Sequence, residues 1–298
     1  MISHIQEIRL SNKNNIRLFI KREDLVHPNI SGNKYRKLKY NLKHAKSLGY
    51  KKILTFGGAF SNHIAATSYA CKNYGFDSIG IIRGEELKDK INTNPTLSLA
   101  KSYGMQLKFV SRKDYRNKTI PQFINALNAE FGDFYLIPEG GTNDLAIKGC
   151  EEILKEEDSI FDFICCSVGT GGTICGLINT LKQHQEILGF SALKGDFLNR
   201  DIRKFVKHTN WELMSNYHFG GYGKIKPQLI TFINTFKKEH GIPLDPIYTA
   251  KMMFGIFDLT QKECFPKHSK ILAIHTGGLQ GIKGMNIKLK QKGWPLIE

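Results

Sequence analysis

Long apolar runs are missing from this chain of 298 residues: no stretch approaches the ~20 apolar residues that a membrane-crossing helix needs, so no membrane partner is expected. The first residues, MISHIQEIRLSNKNN, lack the basic start, apolar stretch and small-residue cleavage site of a secretory signal, and the expectation is a cytoplasmic protein. The six cysteines, at 71, 150, 165, 166, 175 and 264, form no CxxC pair, and Cys165 and Cys166 sit inside the apolar run FDFICCSV. They read as buried, reduced thiols, and no metal site is expected. Acidic residues are scarce: 27 Asp and Glu face 43 Lys and Arg, a formal net charge of +16. Such an excess can serve nucleic acid, but the lysines are spread along the chain, and no RNP-like strand, zinc-finger spacing or basic zipper accompanies them. The charge therefore reads as a solvated basic surface that also attracts an anionic ligand, with no nucleic-acid partner.

What is present is an ordinary globular composition, 41% hydrophobic with 28 glycines, in a chain long enough for two domains or one large α/β domain. From about residue 50, apolar runs alternate with amphipathic segments: KKILTF then IAATSYACKNYG, SIGII then PTLSLAKSYG, QLKFV then IPQFINALNAEFG, FYLIP then DLAIKGCEEILKEE, and FDFICCS then TICGLINTLKQ. Strand and helix alternating at this pace predict right-handed βαβ units, an α/β fold with parallel sheets and helices on both faces. Such sheets place their sites at strand C-terminal ends. Residues 189–224 are irregular and aromatic-rich, and read as a wall or lid rather than a further βα unit. A helix over 226–240, another beginning near Pro246, a strand KILAIHT and a closing helix follow. No repeat or flexible linker separates two domains, so any second domain is expected to be inserted.

The strongest local signal is SVGTGGT, residues 167–173, between a strand and a helix. Gly169, Gly171 and Gly172, with Thr170 and Thr173, let the backbone approach a ligand and aim several N–H groups at it, and the helix adds its dipole; this is an anion cradle suited to phosphate. It is not a dinucleotide fingerprint, which would need glycine where Ile174 stands, nor a Walker loop, since no GK[ST] follows. At LTFGGAFSNHIAA, Ser61 can cap a helix starting at Asn62, and Ser61, Asn62 and His63 gather hydrogen-bond donors suited to a carboxylate or phenolate; an ordinary Ser cap reads equally well from spacing. Glycine turns at PEGGTND, 138–144, and IHTGGLQG, 274–281, complete four polar loops that one sheet edge would converge on a single pocket.

A further helix start stands out. In SGNKYRKLKYNLKHA, residues 31–45, Ser31 and Asn33 are good caps and Tyr35, Leu38, Leu42 and Ala45 recur at helical spacing, yet the first turn carries Lys34, Arg36 and Lys37. A helix N-terminus disfavours cations. If a phosphate-bearing aldehyde cofactor sits at the convergent loops, the contradiction dissolves: Lys34 joins it through an imine, Lys37 or Arg36 balances the phosphate, and the positive field lowers the lysine pKa. Read by itself, the stretch favours a surface lysine in a lysine-rich protein.

Taken together, these residues resemble the fold-type-II pyridoxal-phosphate enzymes, and within them the group containing 1-aminocyclopropane-1-carboxylate (ACC) deaminase and D-cysteine desulfhydrase. The likeness runs through KREDL at 21–25, SGNKYRKL at 31–38, FSNH at 60–63, PEGG at 138–141, GTGGT at 169–173, FGGYG at 219–223, DPIYTAK at 245–251 and HTGG at 275–278. The resemblance implies a two-domain fold like that of the tryptophan synthase β chain, with a smaller domain over 47–146 inserted into a larger one built from 1–46 and 147–298. It implies pyridoxal 5′-phosphate as cofactor, with Lys34 as its covalent anchor, Lys37 beside it, Asn62 on its phenolic oxygen and the Gly169–Thr173 loop on its phosphate. It further implies that Ser61, Asn62 and His63 hold the carboxylate of a small amino-acid substrate, that Tyr222 and Tyr248 flank the reacting carbons, and that the protein is a homodimer.

In the ACC deaminases the residue after the pocket tyrosine is glutamate and the late turn reads HLGG; here those positions are Thr249 and Thr276. A hydroxyl stabilises a pyridinium less than a carboxylate does, so the ring is expected to be a weaker electron sink, with Thr249 as partner of its nitrogen. Opening a cyclopropane is expected to demand the stronger sink, whereas expelling a thiol after Cα deprotonation asks less. The expectation is a D-cysteine desulfhydrase releasing pyruvate, sulfide and ammonia, with Lys34, Ser61 and Tyr248 as catalytic residues and ACC deaminase as the nearest rival. A nicotinamide oxidoreductase lacks its glycine spacing, and a nucleic-acid-binding role leaves the glycine loops unexplained.

Overall fold

The computed structural model describes residues 3–30 and 32–298, so Ser31, read above as a helix cap, lies outside the described residues. Two sheets organise the chain. The smaller has four strands in the order β5-β4-β3-β6, all pairs parallel, and comes from one continuous stretch: β3 (Lys52–Gly58), β4 (Asp77–Arg83), β5 (Gln106–Val110) and β6 (Tyr135–Ile137). The larger has six strands in the order β1-β2-β10-β7-β8-β9 and draws on both ends of the chain: β1 (Ile5–Ile8), β2 (Arg17–Lys21), β7 (Phe163–Val168), β8 (Glu186–Ser191), β9 (Trp211–Met214) and β10 (Lys270–Ile274). Its ladders are parallel except for the β1–β2 pair.

The helices follow the expected alternation: α1 (Asn33–Ser47), α2 (Asn62–Tyr74), α3 (Pro95–Ser102), α4 (Pro121–Phe131), α5 (Asp144–Cys150), α6 (Gly172–Ile178), α7 (Phe197–Arg203), α8 (Pro227–His240), α9 (Thr249–Gln261) and α10 (Gly281–Gln291). Central strand β7 is apolar on both sides, as a strand covered on both faces must be. Cys165 packs with Ile230, Ile233, Met252 and Ile256 of α8 and α9, while Ile164 and Cys166 pack with Ile174, Leu177 and Ile202 of α6 and α7.

The structure corrects three readings. Residues 186–214 form a further parallel βαβ unit, β8-α7-β9; its strands are short and its helix has only two turns, too little periodicity to register in sequence. The edge pair β1–β2, not anticipated, is hidden by the charges on its exposed face, where Arg17 bonds Glu7 at 2.8 and 2.9 Å. Of the cysteines, five are buried but Cys264 is exposed, and none is paired.

Helix α1 lies at the seam of the two sheets. Its stripe of Leu38, Leu42 and Ala45 joins Ile53, Ala66, Ala70 and Ile137 of the smaller sheet's core, while another face meets α5. Its first turn has no side-chain cap; Gly32 occupies the cap position at φ 61°, and Asn33 is the first helical residue rather than the cap. A Cβ on Gly32 would stand 2.0 Å from the Thr276 carbonyl oxygen, so only glycine lets the helix start dock there. Arg36 does not balance a phosphate as expected: it turns away into a buried pair, donating from Nε and Nη2 to Glu23 at 3.0 Å each, and lies 3.5 Å from Glu152. Arg36→Ala leaves Glu23 buried without its counter-charge and is expected to cost about 3–5 kcal/mol in urea unfolding, whereas Arg36→Met with Glu23→Met recovers most of it. Equal loss in both variants contradicts this account of the helix start.

Candidate active site

The loops after β3, β6, β7 and β10 meet α1 around a cavity of about 490 Å³. Of the residues singled out in sequence, Lys34, Lys37, Ser61, Asn62, His63, Gly169, Thr170, Gly171, Thr173, Tyr222, Tyr248 and Thr276 all line it; Gly172 and Thr249 do not. Lys34 is half-buried with its Nζ in this space, and its sole hydrogen bond among the described residues is a long one to Asn33 Oδ1, 3.4 Å. Burial first, and then the Lys37 cation, lower its pKa to about 7. Lys37 is itself depressed by burial and donates to the Gly140 carbonyl at 3.0 Å and Thr142 Oγ1 at 3.2 Å. The amine is thus partly deprotonated near neutrality, the state a nucleophile or proton acceptor needs.

The Gly169–Thr173 turn fits a phosphate. A Cβ at Gly172 would crowd Thr142 Oγ1 at 2.8 Å and Lys37 Nζ at 3.0 Å, and one at Gly169 would meet the Tyr248 ring at 3.0 Å. Thr142 and Thr170 share a hydroxyl–hydroxyl bond of 2.6 Å at its rim, and Asn33 Nδ2 donates to Thr173 Oγ1 at 2.7 Å, tying the α1 start to the turn. An open glycine cradle beside a poorly solvated amine accommodates a phosphorylated aldehyde.

At the start of α2, Ser61 Oγ accepts from the His63 and Ile64 N–H groups at 3.2 and 3.3 Å, so its hydroxyl proton is free to be donated. His63 departs from its expected part. Thr55 donates to the Ile137 carbonyl at 2.7 Å, so its oxygen accepts from His63 Nε2–H at 2.8 Å, which leaves Nδ1 a buried lone pair without a partner among the described residues. Burial, then Lys34 and Lys37, hold the ring far below its usual pKa. A neutral imidazole whose free nitrogen accepts does not hold a carboxylate; its orientation is set by Thr55, on another strand, which no local pattern reveals.

Asn62 is held in the cavity wall by two residues missed in sequence. Gln280 Nε2 donates to Asn62 Oδ1, and Gln280 Oε1 accepts from Thr96 Oγ1 at 3.0 Å. The relay fixes the Asn62 amide with its Nδ2 donor unspent. Thr249 departs from expectation: it is fully buried behind Tyr248, its Oγ1 accepting the Asp245 N–H at 2.8 Å. Among the hydroxyl residues that line the cavity, Thr276 and Ser167 lie 3.1 Å apart. Behind them, Asp245 accepts the Ile247 and Tyr248 N–H groups on Oδ1 while Oδ2 lacks a partner among the described residues, and burial raises its pKa to about 7. Tyr222 and Tyr248 face each other with centroids 6.1 Å apart, and Lys251 holds the loop of Tyr222 through the His218 and Gly221 carbonyls at 2.8 and 2.9 Å.

Known proteins resemble this chain in sequence and in fold. Residues 5–277 match the family model described as pyridoxal-phosphate dependent enzyme. A putative 1-aminocyclopropane-1-carboxylate deaminase of Pyrococcus horikoshii is 33% identical over 285 residues, covering 89% of this chain and 85% of the relative. The bifunctional D-cysteine desulfhydrase/1-aminocyclopropane-1-carboxylate deaminase of Arabidopsis thaliana mitochondria is 28% identical over 299 residues, 90% of this chain and 74% of the relative. A crystal structure described as an ACC deaminase homologue superposes with a TM-score of 0.83 at 30% identity, covering 98% of this chain and 94% of its own. An O-ureido-L-serine synthase, TM-score 0.70 at 14% identity over 94% of this chain and 90% of its own, shares the fold.

Two outcomes follow. The folded amine of Lys34 titrates near 7 and an unfolded one near 10.5, so the unfolded chain binds more protons between those values and stability rises with pH across the interval. Lys34→Met is therefore expected to stabilise the cofactor-free protein by about 1–3 kcal/mol near pH 6, the gain fading above pH 10, in denaturant titrations at several pH values. A gain independent of pH contradicts the depressed amine. Gln280→Leu frees the Asn62 amide to flip and is expected to weaken cofactor binding about tenfold, ~1.4 kcal/mol, measured by absorbance titration, with Gln280→Glu no better because a carboxylate cannot donate to Oδ1. Unchanged affinity in both variants removes the relay.

Proposed function

Because the chain belongs to the family of pyridoxal-phosphate dependent enzymes, we propose that it is a deaminating lyase that eliminates a β-substituent from a small amino acid, with D-cysteine as the preferred substrate. Bound between Lys34 and the 169–173 turn, the cofactor would take up the substrate's amino group and withdraw electron density from Cα. The chain supplies the rest. The Lys34 amine, depressed to about 7, accepts the Cα proton. The free hydroxyl of Ser61 and the N-terminus of α2 take the substrate carboxylate, Asn62 Nδ2 meets the phenolic oxygen, and Lys37 with the glycine turn balances the phosphate. Tyr248 and Tyr222 wall the reacting carbons and exclude water.

One observation carries the choice of elimination. The cavity-lining carboxylates are Glu139 and Asp201, and both are engaged: Glu139 accepts from Tyr115 at 2.9 Å and lies 3.4 Å from Lys118, and Asp201 pairs with Lys204 at 2.7 Å. In this reading the pyridine nitrogen lies by the hydroxyls of Thr276 and Ser167, which line the cavity 3.1 Å apart and would favour a neutral nitrogen. A weaker sink suits loss of a Cα proton followed by a leaving group better than opening of a ring that has no Cα proton. The names of the relatives favour the second reading, ACC deamination to 2-oxobutanoate and ammonia, as strongly. Sulfide release from D-cysteine and 2-oxobutanoate release from ACC, measured side by side on the purified holoenzyme, separate the two. The expected result is a kcat/KM for D-cysteine at least tenfold above that for ACC; the reverse order overturns the proposal.

A further inference from the structure

Four cations line the cavity, and one of them has no assignment. Lys34 and Lys37 are placed above, and Lys118 lies 3.4 Å from Glu139. Arg83, the last residue of β4, is half-buried, and among the described residues its guanidinium makes no hydrogen bond or ion pair with any side chain or carbonyl. The cavity's two carboxylates are bonded elsewhere, Glu139 to Tyr115 and Lys118 and Asp201 to Lys204, and neither pairs with Arg83 among the described residues. Its place is nevertheless fixed: the guanidinium carbon stands 5.6 Å from the centroid of the Tyr115 ring, whose hydroxyl is anchored on Glu139, and Nη2 would be 3.7 Å from a Cβ on Gly58, in the turn that leads to Ser61. An arginine held in a cavity wall with its donors unspent is a receptor for an anion.

In the reading above the phosphate goes to the 169–173 turn with Lys37 and the substrate carboxylate to Ser61 with the N-terminus of α2, so the anionic group left for Arg83 is the departing β-substituent. Resting on the elimination reading above, we propose that Arg83 binds the β-substituent of the substrate and stabilises it as it departs as an anion. In that step the Cα proton passes to the Lys34 amine, the Cα–H electron pair becomes the Cα–Cβ double bond, and the Cβ–X pair leaves on X. Water then converts the enamine to a 2-oxo acid and ammonia, so no oxidant or reductant is required. A guanidinium at the leaving group lowers the barrier most for poor leaving groups, such as hydrosulfide and alkyl thiolates, and least for chloride. Opening of a cyclopropane releases no anion and draws nothing from Arg83.

The test uses holoenzyme and a series of D-alanine derivatives bearing chloride, acetate or thiolates of graded basicity at Cβ, with Arg83→Met and Arg83→Lys beside wild type. In Arg83→Met, kcat/KM is expected to fall at least tenfold for alkyl thiolates and less than threefold for chloride, so that the dependence on leaving-group basicity steepens. Arg83→Lys restores part of the loss, and absorbance titration gives an unchanged cofactor affinity. Thiocyanate, the anion probe, competes with substrate in wild type, and its inhibition constant rises at least tenfold in Arg83→Met. Equal leaving-group dependence and equal thiocyanate inhibition in the two proteins overturn the proposal while the elimination reading stands. Failure of wild type to eliminate from every member of the series, with ACC turned over, overturns that reading and the leaving-group role together.

Discussion

A lysine amine held out of water beside a second cation is the constraint around which this molecule is built. In bulk water such an amine is protonated at neutral pH and is neither nucleophile nor base. Here burial and Lys37 together bring Lys34 to about 7, and both effects oppose stability, so the surrounding structure must hold the pair in place. It does so from several directions. Gly32 lets the start of α1 press on the Thr276 carbonyl, Asn33 bonds Thr173, and Arg36 is anchored in a buried pair with Glu23. The three cations of that first turn therefore divide into a cavity-lining amine of depressed pKa, a field-setting neighbour and a structural anchor.

The same economy governs the loops around the amine. The glycine turns are fixed by hydrogen bonds that reach other elements, so the cavity is preorganised rather than assembled from mobile segments. His275 holds the turn after β10, its Nδ1 accepting the Gly277 N–H at 3.2 Å and its Nε2 bonded to the Pro243 carbonyl at 2.8 Å. Gln280 ties Asn62 to Thr96 at the start of α3, and Lys251 gathers the loop of Tyr222. Because α1 packs on the smaller sheet and on α5 while the 169–173 turn belongs to the larger sheet, amine and glycine turn lie on opposite sides of a seam, bridged by the bond between Asn33 and Thr173.

How much of this was legible in the sequence follows from the range of the forces involved. The βα alternation, the glycine loops and the charged helix start are local matters of periodicity, backbone freedom and charge, and most of the residues they marked, among them Lys34, Asn62, Gly169 and Thr173, meet in one cavity. Where a side chain points is decided by partners far along the chain, and there the reading failed: Thr55 turns His63 inward, Asp245 engages Thr249, and Glu23 takes Arg36. Gln280 and Arg83 carried no signal at all. Glutamine and arginine are ordinary surface residues until the fold supplies an amide to orient or leaves a guanidinium facing a cavity without a counter-ion.

The account rests on a bond between residue 34 and the cofactor, and peptide mass spectrometry of the holoenzyme after borohydride reduction tests it most directly. The predicted result is a phosphopyridoxyl mass on the peptide containing Lys34, absent from Lys34→Ala and accompanied by loss of the yellow absorbance. An adduct on another lysine, or an unmodified Lys34 peptide in protein saturated with the cofactor, would contradict it.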